Sequence, residues 1–327
     1  MINCLCCGAS PQQSTPVITT AAHMHHRTDG PGGDNRYTFV RCSHCGLTYL
    51  NPPVPPQELG RFYPDYYLPY RGPSAWGRYA PLAARGQALT DRKRVRRVGG
   101  LLGKGVSPGT GPLTTANPRI LDVGCGHPTF LRRLVDRYPE VDATGIDFVD
   151  SGWREKPDAW QGITLVQSDP VDFTSRQPFD LITMWHYLEH DYHPIETLRR
   201  LRTMAHKNTR LLVEVPDLES LSRRWYGPFW EGWHAPRHTV IYSGSTLRET
   251  LRRSGWEVVN RTTRGTLDTF ALWWMSSMER RGIDWTASME SRFLPFMAGR
   301  VLTAPLFALE GILPLGVQLV EARPQSG

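Results

Sequence analysis

The sequence shows no pattern from which we would expect an export signal or a membrane-spanning helix. Its N-terminus, MINCLCCGAS, has no basic run followed by an apolar stretch and therefore indicates no signal peptide. Arg300, Glu310 and three prolines interrupt the most apolar stretch, 293–320, which falls short of the roughly 20 clean residues of a transmembrane helix. Internal repeats are absent as well. We expect a cytoplasmic protein whose six cysteines stay reduced, as free thiols or metal ligands.

Positive charge is concentrated in one part of the chain. Of the formal net charge of +7, the stretch 85–104 carries +6, since it has seven basic residues and one acidic residue, Asp91. Such a stretch can dock nucleic acid, anionic lipid or a phosphorylated substrate, or it can be the solvated face of a linker helix. The apolar content of 40% and the charged content of 21% are otherwise ordinary for a soluble globular protein.

Five segments differ in composition. Residues 1–50 hold five of the six cysteines and are expected to form a small metal-binding domain. Residues 51–118 comprise a Pro-rich segment, the basic helix and a Gly/Pro-rich linker. Residues 119–262 alternate short apolar runs with amphipathic ones, 263–314 are expected to form an apolar helical insertion, and 315–327 a final strand and tail.

The alternation within 119–262 predicts an α/β fold with a doubly wound parallel sheet. Five apolar runs are typical of strands: RILDV (119–123), DATGID (142–147), ITLVQ (163–167), DLITMW (180–185) and RLLVEV (210–215). Several of the intervening stretches have helical periodicity, such as the apolar face of 130–138. Strands separated by helices imply right-handed crossovers, and nearly continuous apolar strands imply a sheet covered on both faces.

The turn after the first of these strands predicts a nucleotide-type cofactor loop. In LDVGCGHPTF (121–130), Gly124 and Gly126 allow the backbone to turn sharply and to approach a ligand. A dinucleotide fingerprint requires glycine where Thr129 stands, which counts against NAD or FAD. Asp147 ends the second strand 21 residues after Gly126, where it could hold ribose hydroxyls or simply cap a helix.

The same turn resembles motif I of class I methyltransferases that depend on S-adenosylmethionine (SAM). LDVGCG matches that motif, with Pro128 in place of its last glycine, and GIDF (145–148), LVQSDPVDF (165–173) and FDLITMWHYLEHDYHPIETLRRL (179–201) resemble later segments. The resemblance covers about 120–262 and the last ten residues, and it implies a Rossmann-like, seven-stranded sheet closed by an antiparallel hairpin. It also implies SAM contacts from Asp122, Gly124, Cys125, Gly126, Asp147, Phe148, Asp169 and Trp185.

Two of these implied contacts have structural alternatives. Asp169, expected on the adenine side, could instead form an Asx turn before Pro170. Asp122 lies inside its strand and could merely bond to nearby backbone groups.

The N-terminal cysteines predict a closed structural zinc site. Cys4-x2-Cys7-Gly and Cys42-x2-Cys45-Gly form two knuckles, in which the glycine lets backbone N–H groups turn toward the thiolates. The 34 residues between the pairs require an inserted loop, and its HMHH string (23–26) offers competing ligands or exposed histidines. A disulfide network is the alternative. Such knuckles followed by CGLTYLNPPVPPQELGRFYPDYY resemble the N-terminal region of bacterial deoxysugar C-methyltransferases.

Candidate catalytic residues follow the fourth predicted strand. YLEH places Tyr187, Glu189 and His190 at the ligand-binding edge of the sheet, and a similar string takes part in catalysis in the resembling C-methyltransferases. We expect His190, assisted by Glu189, to act as general base, the alternative being a histidine that only orients the loop. The aromatic segment 223–243 contains His238, a candidate substrate contact or second base.

These features together predict a SAM-dependent methyltransferase of a small molecule, with a sugar, a glycoconjugate intermediate or a lipid-linked sugar as the acceptor. RNA methylation is a second interpretation, because zinc knuckles accompany a basic stretch, although no stacking platform for nucleic acid is evident. A catalytically inactive SAM-binding module is a third. The apolar C-terminal segments could close over the active site or rest on the inner face of the membrane.

Overall fold

The computed structural model describes residues 1–25, 36–103 and 116–325. His26, Lys104 and most of the predicted linker lie outside these ranges. Within the described residues, strands are formed by β1 (Ser14–Ala21), β2 (Arg36–Cys42), β3 (Thr48–Leu50), β4 (Arg119–Val123), β5 (Asp142–Asp147), β6 (Ile163–Gln167), β7 (Phe179–Trp185), β8 (Ala205–Pro216), β9 (Val240–Ile241), β10 (Trp256–Thr262) and β11 (Val317–Pro324).

The α-helices of the same ranges are α1 (Pro56–Leu59), α2 (Leu68–Arg71), α3 (Ala80–Leu101), α4 (Thr129–Arg137), α5 (Pro194–Thr203), α6 (Leu221–Tyr226), α7 (Gly244–Arg253), α8 (Thr269–Arg281) and α9 (Phe293–Ala308). Among the residues described, no helix is both long and apolar enough to cross a membrane.

A seven-stranded sheet has the order β10-β11-β8-β7-β4-β5-β6. β4 pairs in parallel with both β5 and β7, so the strand order reverses at the carboxyl end of β4. β10 and β11 form the predicted antiparallel hairpin. The doubly wound, seven-stranded α/β fold is therefore confirmed, with β4, β5 and β6 on the residues where the apolar runs predicted them.

Two helices pack the sheet into a hydrophobic core. α4 buries Phe130, Leu131 and Leu134 on one face, as its periodicity predicted. α3 contains most of the basic stretch and contributes Val98 and Leu101 to the same cluster. The basic side chains Arg92, Lys93 and Arg96 of α3 are exposed, in keeping with a solvated face.

The chain divides into two compact units, each built from discontinuous segments. One contains residues 89–215, 247–262 and 319–327, which include most of the seven-stranded sheet. The other, which we call the knuckle unit, contains residues 1–88, 216–246 and 263–318. We call the first the sheet unit.

The knuckle unit has a sheet of its own, with the order β1-β2-β3-β9. Phe39 and Leu50 of this sheet are fully buried and pack with Trp230, Trp233 and Ile241. A second cluster joins α8 to the chain before α3, through Tyr67, Ala75, Phe270, Trp274 and Met278. The sequence did not predict the strands of this unit.

Candidate active site

The glycine loop of the sheet unit turns sharply at the carboxyl end of β4. Gly124 and Gly126 have φ angles of +72° and +49°, a region that favours glycine. A Cβ at Gly124 would overlap the ring of Tyr187, whereas a Cβ at Gly126 would meet no atom within 4 Å. Gly124 is therefore required by packing, and the backbone at Gly126 faces open space into which a ligand can come. Pro128 lies one position before α4, as its cap residue, so it does not obstruct the turn.

Asp147 connects the end of β5 to this loop. Its Oδ2 accepts a hydrogen bond from the backbone N–H of Gly126 at 2.9 Å, and its Oδ1 accepts one from Val149 at 3.2 Å. Burial raises the pKa of this carboxyl above its usual value, and the backbone N–H groups oppose that shift. A carboxylate has about four acceptor sites, and the backbone N–H groups of Gly126, Phe148 and Val149 do not fill all of them, so capacity remains to accept a hydroxyl group.

Asp122 is buried inside β4 and bonds to a side chain instead of to backbone. Its Oδ1 accepts a 2.6 Å hydrogen bond from the Thr183 hydroxyl of the neighbouring β7. Burial raises its pKa to about 7, against the opposing effects of that hydrogen bond and of the charge on Arg94. Cys125 is also buried, and burial raises its thiol pKa strongly. A cationic group brought to this position would keep Asp122 ionised.

Phe148 and Asp169 lie on the exposed side of the sheet unit. The Phe148 ring is 57% exposed directly after β5. Asp169 is exposed, and its Oδ1 accepts a 2.9 Å hydrogen bond from the backbone N–H of Val171. Asp169 therefore forms the Asx turn that was the structural alternative for it. That turn uses one carboxylate oxygen, so the expected adenine contact stays a prediction.

Trp185 ends β7 with a buried donor that has no acceptor. Its indole Nε1 has no hydrogen-bond partner among the described residues. The ring packs edge-on against Phe130, and the Arg94 guanidinium lies 5.2 Å from its centroid. A buried N–H without an acceptor is costly, so this group marks a position where an oxygen of a ligand would be stabilising.

The residue after Trp185 was missed by sequence reasoning. His186 has φ +56° and lies between two fully buried carboxylates, with Nδ1 3.0 Å from Glu189 Oε1 and Nε2 3.0 Å from Glu214 Oε1. Burial lowers the pKa of His186, but the hydrogen bonds to Glu189 and Glu214 outweigh that effect and raise it to about 9. The signal in the sequence was Glu214, a charged residue in the otherwise apolar run RLLVEV.

Glu189 and His190 form a single 3-10 turn after Tyr187. The backbone N–H of His190 donates to the Tyr187 carbonyl at 2.9 Å, which holds the turn closed. Burial strongly raises the pKa of the Tyr187 phenol. Tyr187, Glu189 and His190 thus lie at the end of β7, beside the glycine loop that Tyr187 contacts.

His238 belongs to the knuckle unit and is buried there. Its Nδ1 lies 2.8 Å from the Gly232 carbonyl oxygen. A carbonyl only accepts, so Nδ1 carries the proton that forms this hydrogen bond.

The knuckle unit also contains a buried chain of two hydrogen bonds that the sequence did not predict. The Tyr67 hydroxyl lies 2.7 Å from His234 Nε2, and His234 Nδ1 lies 2.5 Å from Glu231 Oε1. Burial raises the pKa of Glu231 to about 7, against the opposing charges of His23 and Arg237. Tyr67 and His234 are separated by 167 positions in the sequence, so no local pattern could have joined them.

The four predicted metal ligands come together in the knuckle unit. The sulfur atoms of Cys4, Cys7, Cys42 and Cys45 all lie within 4.8 Å of one another, with Cys4–Cys45 at 3.5 Å and Cys7–Cys42 at 3.6 Å. Zn–S bonds of about 2.3 Å at tetrahedral angles place sulfurs roughly 3.8 Å apart. The S–S bond of a disulfide, about 2.05 Å, is far shorter than these sulfur–sulfur distances, and none of the four cysteines forms a disulfide.

The two knuckles have matching backbone geometry. The N–H of Gly8 donates to the Cys4 carbonyl and that of Gly46 to the Cys42 carbonyl, both at 2.9 Å, and both glycines have φ near +75°, at +73° and +78°. Within each knuckle, backbone N–H groups also point at the first sulfur. The donor set therefore fits a tetrahedral metal ion.

A comparison with known protein families agrees with this architecture. The model of a family described as a methyltransferase domain matches residues 92–261, more than half of the 327 residues. The chain belongs to this methyltransferase family. The match confirms the resemblance to class I SAM-dependent methyltransferases, whose sheet and closing hairpin the strand order reproduces.

Individual relatives are more distant. A trans-aconitate 2-methyltransferase from Methylobacterium nodulans is 31% identical over 110 residues, which cover 33% of this chain and 43% of the relative. The chain thus matches less than half the length of that relative.

Two solved structures resemble the chain at low identity. The 1,6-didemethyltoxoflavin-N1-methyltransferase of Burkholderia thailandensis, solved with S-adenosylhomocysteine (SAH), is 12% identical with a TM-score of 0.48, covering 92% of this chain and 99% of its own. A plantazolicin methyltransferase, also bound to SAH, is 14% identical with a TM-score of 0.48, covering 80% and 94%. The fold assignment rests on the strand order and the family match.

Proposed function

We propose that the protein is a SAM-dependent methyltransferase acting on a small molecule. The observation that carries this proposal is the junction of the glycine loop with Asp147. Open backbone space at Gly126 and a carboxylate with free acceptor capacity lie together where the strand order of the sheet reverses. Ligands of open α/β sheets bind at that position. Family membership supports SAM as the ligand.

Different residues of the sheet unit bind different parts of SAM. Asp147 accepts the ribose hydroxyls, Phe148 offers its exposed ring to the adenine, and Asp169 bonds to the exocyclic amine. At the amino-acid end, Asp122 attracts the ammonium group and the free Trp185 N–H donates to the carboxylate. The buried carboxylates also favour the cationic sulfonium of SAM over the uncharged thioether of SAH.

Methyl transfer is then an in-line displacement. An acceptor atom attacks the methyl carbon, the carbon–sulfur bond breaks, and its electron pair stays on sulfur to give SAH. Alignment of the acceptor supplies much of the rate. His190 accepts the proton that the acceptor loses. Glu189, next to it, forms a hydrogen bond with the imidazole ring of His186. His238 remains a proposed substrate contact.

The cofactor assignment is tested by calorimetric titration of SAH into Asp147→Asn, with Asp142→Asn as the matched control. Both aspartates lie on β5, but Asp142 is at its other end, where it pairs with Arg119 at 2.9 Å. Charge-assisted hydrogen bonds contribute about 1.5–3 kcal/mol, so the first variant should bind roughly ten- to hundred-fold more weakly. Equal affinities would remove Asp147 from the site, and no SAH binding by the wild type would refute the proposal.

A sugar or glycoconjugate acceptor is the class that the resemblance supports. It can be tested by measuring SAH formation with nucleotide sugars and lipid-linked sugars, in wild type and His190→Asn, with His193→Asn as the control. His193 is three residues away, solvent-exposed and paired only loosely with Glu196, at 3.9 Å. General bases contribute roughly 10²–10⁴-fold, and this loss is expected for His190→Asn alone. Turnover only on RNA, or SAM binding with no turnover on any acceptor, would favour the alternative functions.

We also propose that Cys4, Cys7, Cys42 and Cys45 hold a structural zinc ion. Four cysteines leave no open coordination position, so the metal stabilises the fold and takes no part in methyl transfer. The sulfur geometry and the paired knuckle backbone support this role.

A further inference from the structure

α9 is apolar on both faces, although only one face is packed. On the inner side, Phe296 and Phe307 contact the ring of Phe270 in α8, and Phe296 also contacts Trp274. A helix that is apolar all round is ordinarily covered on all sides. The outer side of α9 is not covered by any described residue.

The outer side presents a continuous aliphatic surface, which we call the α9 face. It consists of Leu294, Met297, Val301, Leu302 and Leu309, with Ile312 in the turn that follows. Val301 is 69% exposed, Leu302 80% and Ile312 81%. At 100° per residue the helical members fall within an arc of roughly 140°, so they form one stripe along the helix. Soluble monomers rarely expose contiguous apolar surface of this kind.

The charged side chains of this region are turned away from the α9 face or stand at its ends. Arg300 pairs with Asp268, which precedes α8, and Glu310 accepts a hydrogen bond from Thr269. At the start of the helix, Arg292 directly precedes Phe293, and the exposed Arg280 and Arg281 end α8.

A further arginine stands at the other end of the α9 face. Arg264 is exposed, and its Nε donates to the Glu310 carbonyl at 2.9 Å, beside Ile312. The face is therefore aliphatic in its centre and has arginines at both ends. Residues 293–308 contain no acidic residue, and Glu290, just before the helix, pairs with Arg78.

We propose that the α9 face binds the surface of an anionic lipid membrane. An interfacial helix buries its apolar side at the boundary between headgroups and acyl chains, while basic residues bind anionic headgroups. The composition also argues against a second copy as the occupant. Hot spots of protein interfaces are enriched in Trp, Tyr and Arg and poor in Leu and Val. The exposed members of the α9 face are mainly Leu, Val and Ile, and the aromatic side chains are on the inner face.

The test is co-sedimentation of the full-length protein with vesicles of phosphatidylcholine containing 30% phosphatidylglycerol, and with pure phosphatidylcholine, each vesicle type at low and at physiological salt. The variant is Val301→Asp, and the matched control is Val17→Asp on β1, where Val17 is 41% exposed. A buried aliphatic side chain contributes enough that its loss should weaken vesicle binding roughly tenfold or more. In the Arg280→Gln, Arg281→Gln double variant, the affinity for anionic vesicles should fall, relative to the wild type, roughly fivefold for each arginine replaced.

The proposal is supported if the wild type and Val17→Asp bind the anionic vesicles, prefer them to the neutral ones, and lose binding in Val301→Asp. It is overturned if the wild type binds neither vesicle, or if Val301→Asp binds as well as the control does. A wild-type dimer in light scattering that Val301→Asp dissociates, without vesicle binding, would assign the face to a second copy. SAH titration into Val301→Asp shows that the sheet unit is intact, so failure here is independent of the proposed methyl transfer.

Discussion

At the residue scale, the end of β7 is organised around a charged histidine that packing holds in place. His186 adopts a left-handed backbone conformation, which costs a non-glycine residue of order 1–3 kcal/mol. Each ring nitrogen lies 3.0 Å from a carboxylate oxygen, and the two interactions together offset that cost when the ring is protonated, because both nitrogens can then donate. The glycine loop depends on the same turn, since the Tyr187 ring fills the space that a Cβ at Gly124 would need. A small change in the conformation of this turn should therefore displace the glycine loop.

The charge on His186 makes stability depend on pH. Its folded pKa of about 9 lies above the ordinary value of 6.5. The folded state therefore holds a proton that the unfolded state releases, and the contribution is complete below pH 6.5 and disappears as pH rises through 9. The free energy of unfolding of the wild type, measured with denaturant, should fall by on the order of 2–3 kcal/mol between pH 6 and pH 9.5. In His186→Asn most of this loss should vanish, since Asn tolerates the left-handed conformation. His193→Asn serves as the exposed control, and a wild-type slope in His186→Asn would contradict the assignment.

At the element scale, the proposed zinc site in the two cysteine knuckles leads to a prediction that distinguishes metal ligands from neighbouring cysteines. Cys4 and Cys6 are both buried in the first knuckle, but only Cys4 has its sulfur in the cluster of four. Metal analysis of purified protein should find about one zinc per chain in the wild type and in Cys6→Ser, and much less in Cys4→Ser. Metal binding contributes roughly 10–16 kcal/mol to such sites, so Cys4→Ser should also melt at lower temperature. Equal zinc content in both variants would remove Cys4 from the site.

The elements differ in how far the sequence predicts them, and the reason is periodicity. β4, β5 and β6 are apolar strands covered on both faces, so their bounds could be read from the apolar runs. β8 begins at Ala205 instead of at 210, because Ala205 pairs with Phe179 of β7 before a register shift that leads to the Leu181–Arg210 pair. β1, with the sequence STPVITTA, is half polar and partly exposed, and such a strand has no clear signal.

Candidate site residues follow the same division. Those on local motifs, such as the glycine loop, Asp147 and the knuckle cysteines, could be named from spacing alone. The surroundings of His23 and His234 could not be predicted in this way. His23 lies beside Pro228 and Glu231, more than 200 positions away, and the Tyr67 partner of His234 is 167 positions away. Chemistry assembled by tertiary contacts leaves no short pattern in a single sequence.

At the scale of the whole molecule, the knuckle unit cannot be cut out as one stretch of chain. β3 pairs with β9, joining Tyr49 to Val240, and the fully buried Phe39 and Leu50 pack against Trp230 and Trp233. A fragment of residues 1–50 would contain all four proposed zinc ligands but would expose both of those apolar side chains. Zinc can hold the two knuckles in the fragment, but β1 and β2 would lose the layer that covers them.

We therefore expect the 1–50 fragment to bind zinc without folding completely. In its amide NMR spectrum with zinc, resonances near Cys4, Cys7, Cys42 and Cys45 should be dispersed, while those of β1 and β2 should resemble an unfolded chain. In the full-length protein the β1 and β2 amides should be protected from hydrogen exchange, since each lies in a paired strand. The fragment carrying Cys4→Ser is the control and should lose the knuckle dispersion too. A fully dispersed wild-type fragment would show that residues 1–50 are an autonomous domain, and that β9 and the tryptophans only cover a fold that zinc and local pairing already specify.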